Sequence, residues 1–136
     1  MTPSIAIRVK FPVDDVTLSR LHATAFGNAC GEIVPWAHRL QQHSVSWIGA
    51  FDQDALVGFV HAAWDGGLHA FLLDTVVDPE YQRQGVGRQL VRELVRETRT
   101  SGCEWLHVDY EPHLDAFYRE ACGFAATHAR LLGLSR

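Results

Sequence analysis

The segment that decides the fold is Val76-Val77-Asp78-Pro79-Glu80-Tyr81-Gln82-Arg83-Gln84-Gly85-Val86-Gly87-Arg88. A β-branched apolar run ends at Pro79, a loop with two glycines follows, and a helical pattern begins at once. The first N–H groups of a helix have no partner within the helix and lie at the positive end of its dipole. Glycines at positions 85 and 87 leave these groups accessible to a bound anion. The order of strand, glycine loop and helix therefore predicts an anion cradle for a diphosphate.

Two common phosphate-binding motifs do not fit this segment. The phosphate loop of nucleotide hydrolases has Lys-Ser or Lys-Thr after its last glycine, whereas Arg88-Gln89 follows here and Lys10 is the only lysine in the chain. The dinucleotide fingerprint has a third glycine three residues after the second. This chain has Leu90 at that position. Neither motif therefore accounts for this segment.

The segment resembles the acetyl-coenzyme A loop of the GCN5-related N-acetyltransferase (GNAT) superfamily. The family pattern is Gln/Arg-x-x-Gly-x-Gly/Ala after a strand that ends in Val-x-Pro. The chain matches it with Val77-x-Pro79 and with Gln82-x-x-Gly85-x-Gly87. The resemblance spans roughly residues 72–132, and the amino-terminal half fits more loosely.

A second match lies downstream of this loop. The strand-like run Leu106-His107-Val108 is followed by the pair Phe117-Tyr118 and by Gly123-Phe124, which starts the last strand in the family. The tyrosine and the Gly-Phe pair match in residue type and in spacing. The family often has asparagine seven residues before the tyrosine, and this chain departs from that pattern with Glu111.

The resemblance implies a binding site for acetyl-CoA as the co-substrate. Backbone groups of Val76 and Val77 are expected to pair with the pantetheine amides like an extra strand. Backbone amides of residues 83–88 are expected to hold the pyrophosphate, with added positive charge from Arg83 and Arg88. The remaining residues assigned to this cofactor site are Gln82, Gln84, Gly85, Val86 and Gly87.

The resemblance also assigns Tyr118 as the general acid that protonates the departing thiolate. Its pKa of ~10, against ~8.5 for a thiol, makes full proton transfer uphill by about 2 kcal/mol. A strong hydrogen bond to the developing thiolate is then sufficient. The competing interpretation of Tyr118 is a helix tyrosine that only packs against Phe117.

Three side chains are candidates for the base or proton relay that the attacking amine requires. Asp74 lies three residues before Val77, Glu111 takes the place of the common asparagine, and His69 begins the same strand as Asp74. Each has a plainer alternative: a structural acid bonded to nearby backbone, a solvated loop carboxylate and an exposed strand histidine, respectively. The sequence does not choose among them.

Composition excludes several classes of protein. A net charge of −4 argues against a general nucleic-acid binder. Three widely spaced cysteines (Cys30, Cys103 and Cys122) form no C-x-x-C pair, so we expect neither a disulfide framework nor a zinc ribbon, and we expect a reducing cytoplasm. No apolar run reaches the ~18 residues of a membrane span, and the start of the chain lacks a secretory signal. The eight histidines show no metal-ligand spacing, so no metal is expected.

The length predicts one domain over residues 1–136, and periodicity predicts a mixed α/β pattern. The resemblance implies an α+β fold in which helices flank a central mixed β-sheet. The predicted order is β-α-α-β-β-β-α-β-α-β. The predicted elements are strand 5–11, helix 15–26, a short helix from Pro35, strands 45–51, 55–64 and 68–77, helix 85–100, strand 104–108, a short helix over about 113–121 and strand 124–132. In the family, the segment matching residues 29–44 closes over the acceptor, and we expect Trp36 to line that side.

These features favour an acetyl-CoA-dependent N-acetyltransferase acting on a primary amine of a small molecule, peptide or protein. The neutral amine would attack the thioester carbonyl directly, with a backbone N–H near Val77 stabilising the carbonyl oxygen. Two alternatives stay open: a non-catalytic CoA-binding sensor or interaction module, and an acyltransferase for a longer chain. Dimerisation is common in the family, so a homodimer is an expectation of the resemblance. No membrane or nucleic-acid partner is expected.

Overall fold

The computed structural model describes residues 4–29 and 31–135 of the chain. It contains one five-stranded sheet with the spatial order β1-β2-β3-β4-β5. The strands are β1 (Ile5–Val9), β2 (Ser44–Asp52), β3 (Ala55–Trp64), β4 (His69–Val77) and β5 (Trp105–Val108). Neighbouring strands are antiparallel except β4 and β5, which are parallel. The predicted mixed α+β fold is confirmed.

Three α-helices accompany the sheet: α1 (Asp15–Ala25), α2 (Trp36–His43) and α3 (Val86–Thr100). Helix α1 begins where Asp14 caps it, since the Asp14 carboxylate accepts a hydrogen bond from the Thr17 N–H at 2.9 Å. Short 3₁₀ turns cover Pro79–Tyr81 and Pro112–Leu114, and a single π-helical stretch covers Ala116–Ala121. The short helix predicted near residues 113–121 is thus a 3₁₀ turn followed by a π-helix.

Helix α3 packs on one face of the sheet. The side chains that it buries recur at helical spacing, so they form a single stripe. They form one cluster with buried residues of β2, β3 and β4 and with Tyr118 from the π-helix. The α3 members are Val86, Leu90, Val91 and Leu94. Each such side chain contributes about 1.5–3 kcal/mol on burial, which fixes α3 against the sheet.

Helices α1 and α2 pack on the opposite face. Their Leu18, Leu21, Trp36 and Leu40 form a second buried cluster with side chains of the sheet. Phe59 of β3 lies at its centre and is fully buried. The sheet is therefore covered on both faces, with α3 and the π-helix on one and α1 with α2 on the other.

Strand β4 carries a bulge in its pairing with β3. Phe59 pairs with Val76, and His61 pairs with Leu73. Two β4 residues, Asp74 and Thr75, therefore lie opposite one β3 residue. Asp74 adopts a left-handed backbone with φ +59°. This position is uncommon for a residue other than glycine, although aspartate is among the residues that tolerate it best.

The predicted strand over residues 124–132 is wrong. Residues 123–135 carry no regular secondary structure, and Leu131, Leu132 and Leu134 are exposed. A strand requires a hydrogen-bonded neighbour, and β5 is paired only with β4 among the described residues. The segment is also rich in alanine, which is depleted in strands. The observed order therefore ends without the final strand.

Gly49 of β2 is required by close packing. A Cβ at this position would lie 2.7 Å from Phe11 Cε1 and 2.8 Å from Phe51 Cε2. We expect Gly49→Ala to lower the free energy of unfolding by about 1–3 kcal/mol, as overpacked cores do. Urea denaturation measures this. Gly133→Ala, where a Cβ meets nothing within 4 Å, is the control, and equal stability of the two variants would contradict the prediction.

Candidate active site

The anion cradle, residues 83–88, has the geometry that its sequence predicts. Arg83 and Gly85 both have left-handed backbones, with φ +62° and φ +82°, and α3 begins directly after Gly85. The first helical hydrogen bond runs from the Gln89 N–H to the Gly85 carbonyl. Backbone N–H groups 83–88 make no hydrogen bond to the part of the chain that the structure describes. They are a row of free donors at a helix start, which suits a diphosphate.

The glycines and Gln82 of this loop serve different purposes. Gly85 is required for its left-handed φ of +82° and not for space, because a Cβ there would meet nothing within 4 Å. Gly87 instead allows a close approach, because its Cβ would lie 3.3 Å from the Phe117 ring. The Gln82 side-chain amide donates to the Val77 carbonyl at 3.0 Å. Gln82 therefore ties the loop back to β4 and does not present this amide to a ligand.

Strand β4 has an open edge next to the anion cradle. Its pairing with β5 ends at Leu72 and Val108, while β4 continues to Val77. Residues 73–77 consequently have no strand neighbour on their β5 side within the described residues. An extended amide-bearing chain can pair there, as the sequence predicts for Val76 and Val77.

Tyr118 reaches this edge from the π-helix. Its hydroxyl donates to Thr75 Oγ1 at 3.1 Å, and the side chain is buried. Burial raises the pKa of Tyr118, and the hydrogen bond with Thr75 offsets part of that rise. A phenol of raised pKa is a weaker acid but still a good hydrogen-bond donor, so the geometry favours hydrogen bonding to a thiolate over full proton transfer. The general-acid role itself stays a prediction.

Asp74 joins two histidines that sequence reasoning missed. Its Oδ1 lies 3.0 Å from His22 Nε2, and its Oδ2 lies 2.8 Å from His61 Nε2. His61 Nδ1 lies 2.9 Å from the Ser44 hydroxyl. We call these four side chains the Asp74 network. The sequence held a signal for His61, because a histidine between Val60 and Ala62 interrupts a buried apolar strand.

The electrostatics of Asp74 make it a poor base. Burial raises its pKa, but the hydrogen bonds with His22 and His61 outweigh burial and hold the pKa well below its usual range. An ionised carboxylate that binds two imidazoles orients them and accepts no further proton near neutral pH. Asp74 thus bonds to two side chains in place of the expected bonds to backbone, and its role as base or relay stays a prediction.

The other two candidate bases lie apart from the Asp74 network. Glu111 is exposed, precedes the 3₁₀ turn at Pro112, and its carboxylate makes no hydrogen bond to the described residues. His69 is exposed and its Nδ1 lies 2.7 Å from His107 Nε2 on β5. Both positions agree with the plainer alternatives, and a catalytic role for Glu111 stays a prediction.

A pocket of about 260 Å³ opens beside the Asp74 network, between α1, α2 and the loop that joins them. We call it the acceptor pocket. Rings of His22, Phe26 and Trp36 line it together with the Glu32 carboxylate. Trp36 lies on this pocket, on the side where the sequence analysis expects the acceptor.

Residues 4–29 and 31–135 contain no cluster of three or more histidine, cysteine or acidic side chains arranged to hold a metal ion. Over the same residues, no helix is long and apolar enough to span a membrane. Cys103 and Cys122 are free thiols, and Cys30 lies outside the described residues.

The low pKa of Asp74 predicts a pH-dependent contribution to stability. Since the folded pKa lies below the unfolded value of ~3.9, the carboxylate stabilises the fold above that value and loses its effect as pH falls toward the folded pKa. We expect Asp74→Asn, which tolerates the same backbone, to cost about 1–3 kcal/mol at pH 7.

The measurement is urea denaturation between pH 7 and pH 3, and the difference between Asp74→Asn and wild type should shrink toward the acid end. Asp54→Asn, in the exposed β2–β3 turn, is the control. A difference that stays constant across this range would contradict the prediction.

Comparison with known proteins gives relatives that match the chain in part. Over 79 residues it is 35% identical to "Serotonin N-acetyltransferase 2, chloroplastic" of Oryza sativa subsp. japonica, covering 58% of this chain and 39% of that protein. Over 65 residues it is 32% identical to the "Uncharacterized N-acetyltransferase ycf52" of Porphyra purpurea, covering 48% and 37%. The matches thus span about two fifths of these relatives' length.

Solved structures match the fold over nearly the whole chain. A Trypanosoma brucei acetyltransferase superposes with a TM-score of 0.79 at 21% identity, covering 98% of this chain and all of the other. Aminoglycoside N-acetyltransferase AAC(6')-Iy in complex with CoA gives 0.77 at 20% identity, covering 98% and 96%. The model of the Acetyltransferase (GNAT) family matches residues 16–124, which is most of the chain. The chain therefore belongs to the Acetyltransferase (GNAT) family.

Proposed function

We propose that the protein transfers the acetyl group of acetyl-CoA to a primary amine by direct attack of the amine on the thioester. The observation that carries this proposal is the convergence of three features on one edge of β4. The anion cradle follows β4 after a short 3₁₀ turn, Tyr118 binds Thr75 within β4, and the Asp74 network lies at the preceding residue. Family membership supports the reaction class, and the convergence supports the choice of residues.

The residues of the anion cradle fit the diphosphate of CoA. The free N–H groups 83–88 supply hydrogen-bond donors, and the left-handed backbone at Arg83 and Gly85 turns them toward one side. When bound, acetyl-CoA supplies an activated acetyl thioester. The open β4 edge at Val76 and Val77 holds the pantetheine arm by backbone pairing, which leads that arm from the anion cradle toward Thr75.

Two groups near the bulge have different roles in the proposed reaction. Tyr118, whose single hydroxyl hydrogen goes to Thr75 Oγ1 in this structure, turns that hydrogen toward the sulfur as the thiolate develops. A β4 backbone N–H near Val77 stabilises the carbonyl oxygen of the thioester. Because both groups belong to rigid, buried elements, they are oriented before any ligand binds.

The acceptor pocket supports a small amine with an aromatic or apolar body. Its volume of about 260 Å³ lies near the lower end of the ~300–1,000 Å³ range of small-molecule sites. The exposed Phe26 ring offers a flat apolar contact, and Glu32 offers a carboxylate for a cationic amine. The rice relative carries serotonin in its name, and we propose arylalkylamines as the first acceptor class to test.

We expect Gly85→Ala to weaken CoA binding by at least 10-fold, because alanine strains the left-handed backbone that orients the free amides. Isothermal titration of CoA into the protein measures the affinity. Gly66→Ala is a matched control, since Gly66 has φ +89° and equally open space but lies in the β3–β4 turn. Equal loss of affinity in both variants, or loss in neither, would contradict the assignment of the anion cradle.

We expect Tyr118→Phe to lower kcat by about 10²-fold with little change in CoA affinity, the low end of general-acid effects. The assay is thiol release from acetyl-CoA across arylalkylamines, polyamines, aminoglycosides and peptides, with the protein's own three cysteines subtracted. Tyr110→Phe is the control, because Tyr110 stacks on Tyr118 and its hydroxyl donates elsewhere, to Asp115.

Two results of this assay would change the proposal. If no amine is acetylated while acetyl-CoA still raises the melting temperature, the protein is a non-catalytic CoA-binding module. If acetyl-CoA produces no thermal shift either, the cofactor assignment itself is wrong.

A further inference from the structure

We infer that His22 accepts the proton of the acceptor amine and that Asp74 is the positioning residue that holds it. This inference deepens the proposed acetyltransferase function and rests on it. Four observations carry it: the hydrogen bond that fixes the His22 tautomer, the place of His22 on the acceptor pocket, an unpartnered buried donor on the same pocket, and the adjacency of Asp74 to Thr75.

The hydrogen bond to Asp74 fixes which nitrogen of His22 is basic. An ionised carboxylate accepts hydrogen bonds and donates none, so the His22 nitrogen 3.0 Å from Asp74 Oδ1 must carry the hydrogen. That nitrogen is Nε2, and the free lone pair of neutral His22 is therefore on Nδ1. The pairing of an imidazole with a carboxylate also stabilises the imidazolium that forms on protonation.

The two histidines of the Asp74 network differ in access. His61 is buried, and its second nitrogen lies 2.9 Å from the Ser44 hydroxyl, so both of its nitrogens have protein partners. His22 is 31% exposed and lines the acceptor pocket. His61 and Ser44 therefore anchor the Asp74 carboxylate from the protein side, and His22 alone faces a ligand.

The Trp36 ring packs against His22, with 5.3 Å between the two ring centroids. Trp36 is only 2% exposed, and its Nε1 is the single buried side-chain polar atom without a hydrogen-bond partner among the described residues. A buried donor without a partner costs free energy. Because Trp36 lines the acceptor pocket, a polar group bound there that reaches Nε1 would satisfy this donor.

The partners of the proton acceptor His22 and of the proton donor Tyr118 are consecutive residues of β4. Asp74 binds His22 from α1, and Thr75 binds Tyr118 from the π-helix. An acetyl group at the open edge beside Thr75 would therefore have His22 on the amine side and Tyr118 on the thiol side. Glu111 and His69 have no comparable link to either residue.

The reaction balances with these two groups. The amine nitrogen forms the new C–N bond with its lone pair and loses one proton to His22 Nδ1. The C–S bond breaks with its electron pair on sulfur, and the thiolate receives its hydrogen bond or proton from Tyr118. His22 then returns its proton to solvent, and the thiolate, or Tyr118 where it has given up its proton, takes one proton from solvent, so an amine and a thioester become an amide and a thiol.

Several charged or titratable groups surround His22. Asp74 faces it from β4, and His61 of β3 lies on the other oxygen of that carboxylate. Glu32 lines the acceptor pocket, and the Arg39 guanidinium of α2 lies over the Trp36 ring. The experiments below therefore compare wild type with His22→Gln and Asp74→Asn under the same conditions.

The first measurement is independent of turnover. Nitrogen-15 NMR of imidazole-labelled protein with CoA bound, assigned with His22→Gln, should show neutral His22 protonated on Nε2 and unprotonated on Nδ1 at alkaline pH. Asp74→Asn should change that tautomer balance. A His22 that carries its hydrogen on Nδ1 would overturn the inference.

The second measurement is the pH profile of kcat/KM with an arylalkylamine. We expect His22→Gln to lower kcat/KM at pH 7 by about 10²-fold and to remove the acid limb of the profile, in the range of general-base effects. The loss should be smaller for an acceptor amine of low pKa, which is already neutral. His128→Gln, in the exposed carboxyl-terminal segment, should behave as wild type.

The outcomes distinguish a failure of the proposed acetyltransferase function from a failure of the inference about His22. If wild-type protein acetylates no amine, the proposed function fails and takes the role of His22 with it. If wild type is active and His22→Gln keeps both its rate and its acid limb, the inference about His22 alone is overturned. If His22→Gln no longer binds CoA, the variant has lost its fold, and the tautomer of wild-type His22 decides.

Discussion

The bulge in β4 is the constraint on which the site depends, because it places one extra residue between the part of β4 that pairs with β5 and the part that leads into the anion cradle. A regular strand would send the side chains of residues 74 and 75 to opposite faces in fixed alternation. The bulge bends the strand and puts Asp74 into a left-handed conformation, which costs roughly 1–2 kcal/mol for most residues. The hydrogen bonds of Asp74 to His22 and His61 offset that cost. The strain is thus held by the same contacts that orient the histidines.

The end of the β4–β5 pairing is the second consequence of this geometry. Since β5 stops at Val108, the last residues of β4 offer their backbone to a ligand. The same strand then ends at Pro79, and the loop that follows starts α3 with free amides. A single continuous segment therefore carries a backbone edge for an extended amide chain and an anion site for its phosphate end.

The sequence predicts these parts to very different degrees, for reasons that the residues make clear. The glycine spacing, Pro79 and the apolar period of α3 are local signals, and the predicted fold, the family and the bounds of most elements are confirmed. The last strand was predicted wrongly, because its pattern says nothing about whether a neighbour is present to pair with it. The Asp74 network could be read only in part, because the sequence marks only His61 of its two histidines. His22, His61 and Asp74 lie 39 and 13 residues apart along the chain, and the packing of α1 on the sheet brings His22 to Asp74. The catalytic assignments of Tyr118, Asp74 and Glu111 stay predictions.

This contrast follows from how the two halves of the site are built. The anion cradle is one contiguous segment, so a single sequence motif identifies it. It requires only the strand before it and the helix after it. The acceptor pocket is assembled from α1, α2 and the loop between them, and His22 links it to Asp74 at the bulge. Phe26 and Glu32 line this pocket and lie outside the contiguous residues 83–88, so under the proposed function they can change the choice of amine independently of the anion cradle. Asp74 cannot change so freely, because it couples the backbone conformation of β4 to the orientation of His22, and through Thr75 to the position of Tyr118.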